Sequence, residues 1–321
     1  MVTVCISHKE DVDGIVSATM IKSIFNAYQF LTDYTDFIPI LEHVSKMQDI
    51  DRLFICDLGL SKANEKKFIE ILHDLRKKGI DITYIDHHDL ADEIKNTLNN
   101  DQIILIHTID ECTSVQIYNR FSDKLTKRFA LLAACAAIAD DMKNKPIANK
   151  LYKMYDKQFV FFEATSFSYA IYDNQHNTDF LLSLVNELIT TIPHEITGIL
   201  DSAKNYAQKV HINLAVIERE SKMMNNLVYV QTHSLSTSIV ANMLLALEQN
   251  VQAAVAYKEK NDNYVLSLRG SDSSNHHLGR IVNKLSVEMG GSGGGHQRAC
   301  GALIPKQKFN EFIEKVDSML T

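Results

Sequence analysis

At 321 residues the chain exceeds what one hydrophobic core ordinarily organises, so two domains flanking a cleft are expected. Hydrophobic residues at 45% and charged residues at 23% exclude a disordered chain, and a net charge of −7 disfavours a protein that coats long duplex DNA through a broad basic surface. A small or short anionic ligand, met by local positive charge, fits this balance better.

In chain order, residues 2–7, 53–57, 82–86 and 103–107 are strand-like, alternating with helical patterns over residues 15–25, 63–78 and 90–98. That order predicts an α/β fold with a doubly wound, mostly parallel sheet. After Asp110 the pattern is helical to Asp140 and again over residues 147–155, whereas the aromatic stretch 159–172 carries no assignable period. Residues 179–226 read as helices broken at Pro193, with the polar run 204–222 an exposed connecting helix. A smaller α+β C-terminal domain is then expected, with strands at 227–230, 253–257 and 264–268, helices at 239–247 and 278–287, a glycine-rich loop, and a last helix from Lys306. The domain limits that follow are 1–190, a helical linker 191–225, and 226–321.

Five cysteines, Cys5, Cys56, Cys112, Cys135 and Cys300, are odd in number and contain no Cys-x-x-Cys pair, so they read as buried thiols of a reducing compartment. The apolar stretches, such as residues 129–139, are too short to cross a bilayer, and no basic leader precedes the first strand-like run. A cytoplasmic location with no membrane partner is expected.

In an open α/β sheet, ligands collect beyond the carboxyl ends of the strands. Acidic and imidazole side chains recur there: His8, Glu10, Asp11 and Asp13 after the first predicted strand, Asp57 after the second, Asp86, His87 and His88 after the third, and Asp110 after the fourth. Asp140 and Asp141 close the apolar run before them and are further candidates for the same edge. Converging carboxylates repel one another and are costly to desolvate, and divalent cations resolve the conflict. Oxygen and nitrogen donors without sulfur favour manganese, magnesium or cobalt, and this many donors suit two ions about 3.5–4 Å apart sharing a carboxylate. Thr113 and Ser114 open a predicted helix whose N-terminus is a further place for phosphate.

The pattern H-x-x-D-x-D-G from His8, the strand-terminal Asp57 and the Asp86-His87-His88 run resemble the DHH phosphoesterase superfamily. Gly290-Gly291-Ser292-Gly293-Gly294-Gly295-His296, followed by Arg298-Ala299-Cys300-Gly301, resembles the glycine-rich signature of the DHH-associated C-terminal domain of RecJ-like nucleases and nano-RNases. The resemblance implies that His8 and Asp11 hold one metal ion, that Asp13, His87 and Asp140 hold the other, and that Asp57 bridges them. It implies that Asp86 orients an imidazole and that His88 faces the substrate phosphate and helps protonate the leaving oxygen. Asp140 is preferred to Asp110 and Asp141 because it ends an Ala-Ala-Ile-Ala-Asp run similar to the family's fourth motif. The His8-x-x-Asp11 spacing is one residue shorter than in some members.

In the second domain, Arg269 resembles the family's substrate-binding arginine. Gly293, Gly294 and Gly295 would let backbone amides approach an anion, with His296 and Arg298 supplying charge. The implied activity is a two-metal phosphodiesterase that cuts short single-stranded RNA or DNA to mononucleotides, as a RecJ-like exonuclease or oligoribonuclease does. The alternatives are hydrolysis of a cyclic or linear dinucleotide or a nucleotide bisphosphate, and a non-catalytic nucleic-acid or replication scaffold, which the full ligand set disfavours. Inorganic pyrophosphatase ranks low, because that branch presents basic residues where this chain has glycines. The helical linker and aromatic segment also raise self-association into a homo-oligomer as an expectation.

Overall fold

In a computed structural model, residues 2–321 are described. The chain divides into two compact units, one of residues up to Leu60 with Asn64–Tyr206, the other of Ser61–Ala63 with Ala207–Thr321. Among the described residues no helix is long and apolar enough to cross a membrane.

The first unit begins β1 (Val2–His8), α1 (Val12–Phe25), β2 (Tyr28–Thr32), α2 (Phe37–Ser45), β3 (Ile50–Cys56), α3 (Lys62–Lys77), β4 (Asp81–Asp86), α4 (Asp92–Asn100) and β5 (Ile104–His107). All five strands are parallel, in the order β2-β1-β3-β4-β5. Side chains alternate strictly between two cores. Val4, Ile6, Leu53, Ile55, Ile82 and Tyr84 enter one layer, while Cys5, Phe54, Cys56 and Ile85 enter the other. Strands buried on both faces are what a doubly wound parallel sheet requires.

Five further helices complete the second of those layers: α5 (Thr113–Arg120), α6 (Lys127–Ala139), α7 (Pro146–Tyr152), α8 (Lys157–Asp173) and α9 (Thr178–Glu187). A single turn of 3₁₀ helix at Pro193–Glu195 precedes α10 (Ile199–Glu220), and the division between the units falls inside α10. The segment 159–172, which gave no assignable period, is α8; its burial of Val160, Glu163, Ala164, Phe167, Ala170 and Ile171 follows a helical stripe that the surrounding aromatics mask.

The second unit contains β6 (Lys222–Met223), β7 (Leu227–Gln231), α11 (Thr237–Leu247), β8 (Ala253–Lys260), β9 (Asn263–Gly270), α12 (Leu278–Glu288), β10 (Ser292–Gly295), β11 (Ala299–Pro305) and α13 (Phe309–Ser318). Its sheet runs β10-β11-β9-β8-β7-β6, antiparallel except for β7 beside β8, which α11 connects. The last helix starts at Phe309, after a 3₁₀ turn at Lys306–Lys308.

Two sequence expectations are corrected. β2 and α2 lie between the first two predicted strands and were not assigned. The glycine run is not a loop: Ser292–Gly295 is an edge strand paired with β11. The reason is steric. A Cβ on Gly279 of α12 would stand 1.9 Å from the Gly295 carbonyl oxygen, so helix and strand approach backbone to backbone, and a Cβ on Gly293 would stand 2.8 Å from the Gly301 carbonyl oxygen of the neighbouring strand β11. Gly294 and Gly295 hold φ of 150° and 137°, outside the range that side-chain-bearing residues favour.

Candidate metal centre

The chain order places a topological switch point between β1 and β3, because β1 feeds β2 on one side while β3 lies on the other. Ser7 is in register with Cys56, so His8 and Asp57 leave the sheet as neighbours at that point. Cys56 is in register with Ile85, which brings Asp86 and His87 alongside. Helix α1 closes the other side. Gly14 is required there, since a Cβ would stand 2.2 Å from the His8 carbonyl oxygen, and Ser7 Oγ donates to the Gly14 carbonyl at 2.7 Å.

Side chains from four chain segments converge on this edge. Asp11 caps α1, accepting from the Gly14 amide at 3.0 Å, and its Oδ2 lies 3.1 Å from His8 Nδ1. The Asp57 carboxylate is reached from both sides, with Oδ2 at 3.8 Å from His8 Nδ1 and Oδ1 at 3.3 Å from His87 Nε2. His87 Nε2 is also 3.7 Å from Asp140 Oδ2 and 4.0 Å from Asp13 Oδ2. Two sets of three, His8 with Asp11 and Asp57, and Asp13 with Asp57 and His87, each bring their ligand atoms within 4.8 Å of one another and share Asp57. Asp140 falls into a third such set with Asp13 and Cys112. Asp57 takes φ of 58°, a left-handed conformation uncommon for residues other than glycine, Asn and Asp.

Asp13 accepts from the amides of Thr113 at 2.7 Å and Ser114 at 2.8 Å, so its carboxylate occupies the α5 N-terminus where the sequence placed phosphate. Thr113 Oγ1 donates to Asp57 Oδ1 at 3.2 Å. Asp86 accepts from the His88 amide at 3.1 Å, with its other oxygen 2.9 Å from His88 Nδ1, and these two residues form a further set with Asp57 whose ligand atoms lie within 4.8 Å of one another. Asp110 is exposed and paired with Lys145 at 3.1 Å, and it belongs to none of the converging sets among the described residues.

The electrostatics show a site that must balance its own charge. Burial and the adjacent Asp57 charge push Asp13 up to about 7. Burial and the Asp13 charge raise the Asp140 carboxyl well above the usual range. Burial alone would also raise Asp57, but the His8 and His87 imidazoles outweigh it and hold that carboxyl well below its ordinary value. Conversely, burial alone would lower His8 and His87; Asp11 beside the one, and Asp57 with Asp140 beside the other, raise both well above theirs. Protons thus do the work that cations do when carboxylates crowd together.

Asp57 Oδ2 and Asp140 Oδ2 are sealed from solvent without a hydrogen-bond partner, an arrangement that is costly unless something charged is to be accepted there. The donors are carboxylate oxygens and imidazole nitrogens, and they fit divalent cations.

These motifs match the DHH family, N-terminal domain, over residues 1–139, and the DHHA1 domain over residues 221–321. The chain belongs to the DHH phosphoesterase superfamily. The two DHH-type matches flank the division between the compact units. Over 101 residues the chain is 31% identical to an uncharacterized protein of Methanocaldococcus jannaschii, a match covering 31% of this chain and 22% of that relative, so it spans about a fifth of the relative's length. Among solved structures it resembles the pGpG-specific phosphodiesterase PggH of Vibrio cholerae, with a TM-score of 0.58 at 13% identity, covering 99% of this chain and 98% of that one. It also resembles RecJ from Thermus thermophilus, solved in complex with Mg2+, with a TM-score of 0.56 at 13% identity, covering 99% of this chain and 49% of that one. At such identities the likeness is one of fold. The site's donors fit the metal-dependent phosphoesterases that make up this superfamily.

In the second unit, Arg269 lies near the end of β9, with Nη1 donating to the Leu268 carbonyl at 3.0 Å and Nη2 bonded to Ser238 Oγ. Arg298 is held by Asp272, through its side chain and, at 3.0 Å, its carbonyl. The His296 amide donates to the Ala299 carbonyl at 2.8 Å and closes the turn from β10 to β11. Gly293, Gly294 and Gly295 lie in β10, where Asn283 Nδ2 donates to the Gly293 carbonyl at 2.9 Å.

Several residues of the metal centre gave no signal in the sequence. Gln116 Nε2 donates to the carbonyls of Asp86, Thr108 and Glu111 at 3.1, 3.0 and 2.8 Å, tying three segments together beside His87. Gly59 makes room for the His88 ring, since a Cβ there would lie 2.7 Å from His88 Cγ. Tyr34, after β2, places its hydroxyl 3.0 Å from His88 Nε2. The x-Asp-Gly and Asp-His-His patterns were legible because they are contiguous; these three depend on pairing that only the folded chain creates.

Proposed function

We propose that this chain is a two-metal phosphodiesterase that hydrolyses short single-stranded RNA or DNA to mononucleotides. The observation that supports it is the shared Asp57, reached by His8 and Asp11 from one side and by Asp13 and His87 from the other. On this reading His8 and Asp11 hold one ion, Asp13, His87 and Asp140 the other, and Asp57 both. Two divalent ions, manganese being the one this donor set favours, would supply Lewis acidity and lower the pKa of the attacking water. Asp86 fixes His88 through two hydrogen bonds, one to the ring Nδ1 and one from the backbone amide, and so holds the imidazole at this strand edge. Arg269, Arg298, His296 and the Gly293–Gly295 backbone of the second unit are the groups we assign to substrate phosphate.

A second reading, hydrolysis of a linear dinucleotide, is favoured by one observation. It is the likeness in fold to PggH, a pGpG-specific phosphodiesterase, over 99% of this chain and 98% of that one. The test is a time course of manganese-dependent hydrolysis on end-labelled RNA and DNA, from dinucleotides to longer oligomers, with pGpG alongside. Stepwise release of mononucleotides from oligomers supports the first reading; cleavage confined to dinucleotides supports the second; no release of nucleotide from any of them sinks both.

A further inference from the structure

We propose that Tyr34 is a catalytic residue of this site, the group that delivers the proton to the departing ester oxygen. The proposal rests on the phosphodiesterase reading and adds to it a residue from the turn after β2, a strand that contributes none of the implied metal ligands. β2 pairs in parallel with β1, with Thr32 in register with His8, so that turn emerges beside the metal centre. The turn is tied down. Asp33 Oδ1 accepts from the Thr35 amide at 2.8 Å, Thr35 Oγ1 at 2.6 Å and the Asp36 amide at 3.0 Å, and Asp33 Oδ2 pairs with Lys9 at 3.4 Å. It presents the Tyr34 ring against His8, with centroids 4.7 Å apart, and edge-on to His88.

His88 itself is fixed on every side. Nδ1 faces Asp86 Oδ1 at 2.9 Å, the backbone amide bonds the same carboxylate at 3.1 Å, and the backbone carbonyl contacts His107 Nε2 at 2.6 Å. Gly59 packs on the ring face, and Nε2 meets the Tyr34 hydroxyl at 3.0 Å. With both ring nitrogens engaged, His88 reaches an ester oxygen through the phenol. Tyr34 is 41% exposed, so the residue stands at the open face of this strand edge, where a substrate would arrive.

The step balances. As the P–O bond breaks, the Tyr34 hydroxyl proton passes to the departing oxygen, which leaves as an alcohol. The phenolate left on Tyr34 is steadied by its contact with His88 Nε2 and takes its proton back from solvent as the product leaves.

The test uses leaving groups of different need. Wild type and Tyr34→Phe are compared on a dinucleotide, whose alkoxide leaving group requires a proton, and on the p-nitrophenyl ester of a nucleoside 5′-phosphate, whose nitrophenolate does not. Loss of the hydroxyl is expected to lower kcat on the dinucleotide by about tenfold to a hundredfold, and the ratio of the two kcat values by at least about tenfold. An equal fall on both esters would make Tyr34 a packing residue and overturn the proposal, as would no fall on either or a faster dinucleotide reaction from an unmasked His88. A wild type that hydrolyses neither ester with added manganese overturns the phosphodiesterase reading itself, and that outcome is distinct from the others.

Discussion

Glu163 and Glu111 are as deeply buried as Asp57, yet the first unit treats them and Asp57 in opposite ways. Glu163 receives the His194 amide at 3.1 Å together with the His194 imidazole, and Glu111 receives the amides of Ile147 and, at 3.0 Å, Ala148 at the start of α7. Each has donors of its own. Asp57 instead shares the His87 imidazole with Asp13 and Asp140 and keeps one oxygen sealed and unbonded. A buried carboxylate with private donors holds a fold together, whereas carboxylates competing for the same donor are held in place by the fold around them. Removing members of the two sets should therefore separate stability from activity.

The largest effect is expected from Asp57→Ala. It removes the carboxylate common to both triads and should lower manganese-dependent turnover by on the order of a thousandfold, as the loss of a centrally placed electrostatic group does. Thermal unfolding should remain cooperative. Turnover within about tenfold of wild type, at saturating manganese, would show that Asp57 does not hold the ions.

Glu163→Ala should do the reverse. It strips His194 of its acceptor inside the α8 layer and should cost about 2–4 kcal/mol in urea unfolding. Turnover by the folded protein at low temperature should change little. A cost below about 0.5 kcal/mol would mean that water replaces the lost partner and that burial there is incomplete.

Asp140→Asn sharpens the comparison with a change of sign. The Asp140 carboxyl is raised by burial and by Asp13, so its charged form opposes folding at pH above the unfolded value, and removing the charge should stabilise the ion-free protein by about 1 kcal/mol at neutral pH. The same variant should lose most of the added stability that manganese gives the wild type, about 2.7 kcal/mol at roughly a hundredfold excess over Kd. Calorimetry with and without a chelator reads both. An ion-free variant less stable than wild type would place Asp140 with Glu163 among the structural carboxylates.

Much of this arrangement was legible because parallel strands buried on both faces leave long apolar runs, and the residue that ends each run announces the sheet's carboxyl edge. His8, Asp57 and Asp86 stand at those ends, and the doubly wound order followed from the alternation of runs with helices. β2 escaped because it is an edge strand: Tyr28 is 65% exposed, and only Leu31 and Thr32 of its five residues are buried. With β2 unassigned, Tyr34 could not be placed beside β1, since its position depends on Thr32 pairing with His8. The glycine run read as a loop because residues without side chains carry no burial pattern, and what makes it a strand is the approach of α12 to its backbone. Asp13 looked like one more free carboxylate because the amides that hold it come from residues about a hundred positions away.

The smallest effect tests a third kind of carboxylate, half-buried and privately bonded, at the turn that carries Tyr34. Hydrogen bonds from Thr35 and Asp36, with the Lys9 charge, outweigh burial and lower Asp33 to about 2 from 3.8. A depressed carboxylate contributes stability that is present above its unfolded value and lost as pH falls through the folded one, so the contribution should be complete above about pH 4 and lost toward pH 2. Discounted for solvent screening, it is about 1 kcal/mol. Asp33→Asn should therefore be less stable than wild type near neutral pH by about that amount, with the two unfolding curves converging as the pH is taken from about 4 toward 2. A gap that persists unchanged at low pH would mean that the side-chain amide fails the turn geometrically, and that shape, rather than charge, holds Tyr34 against His88.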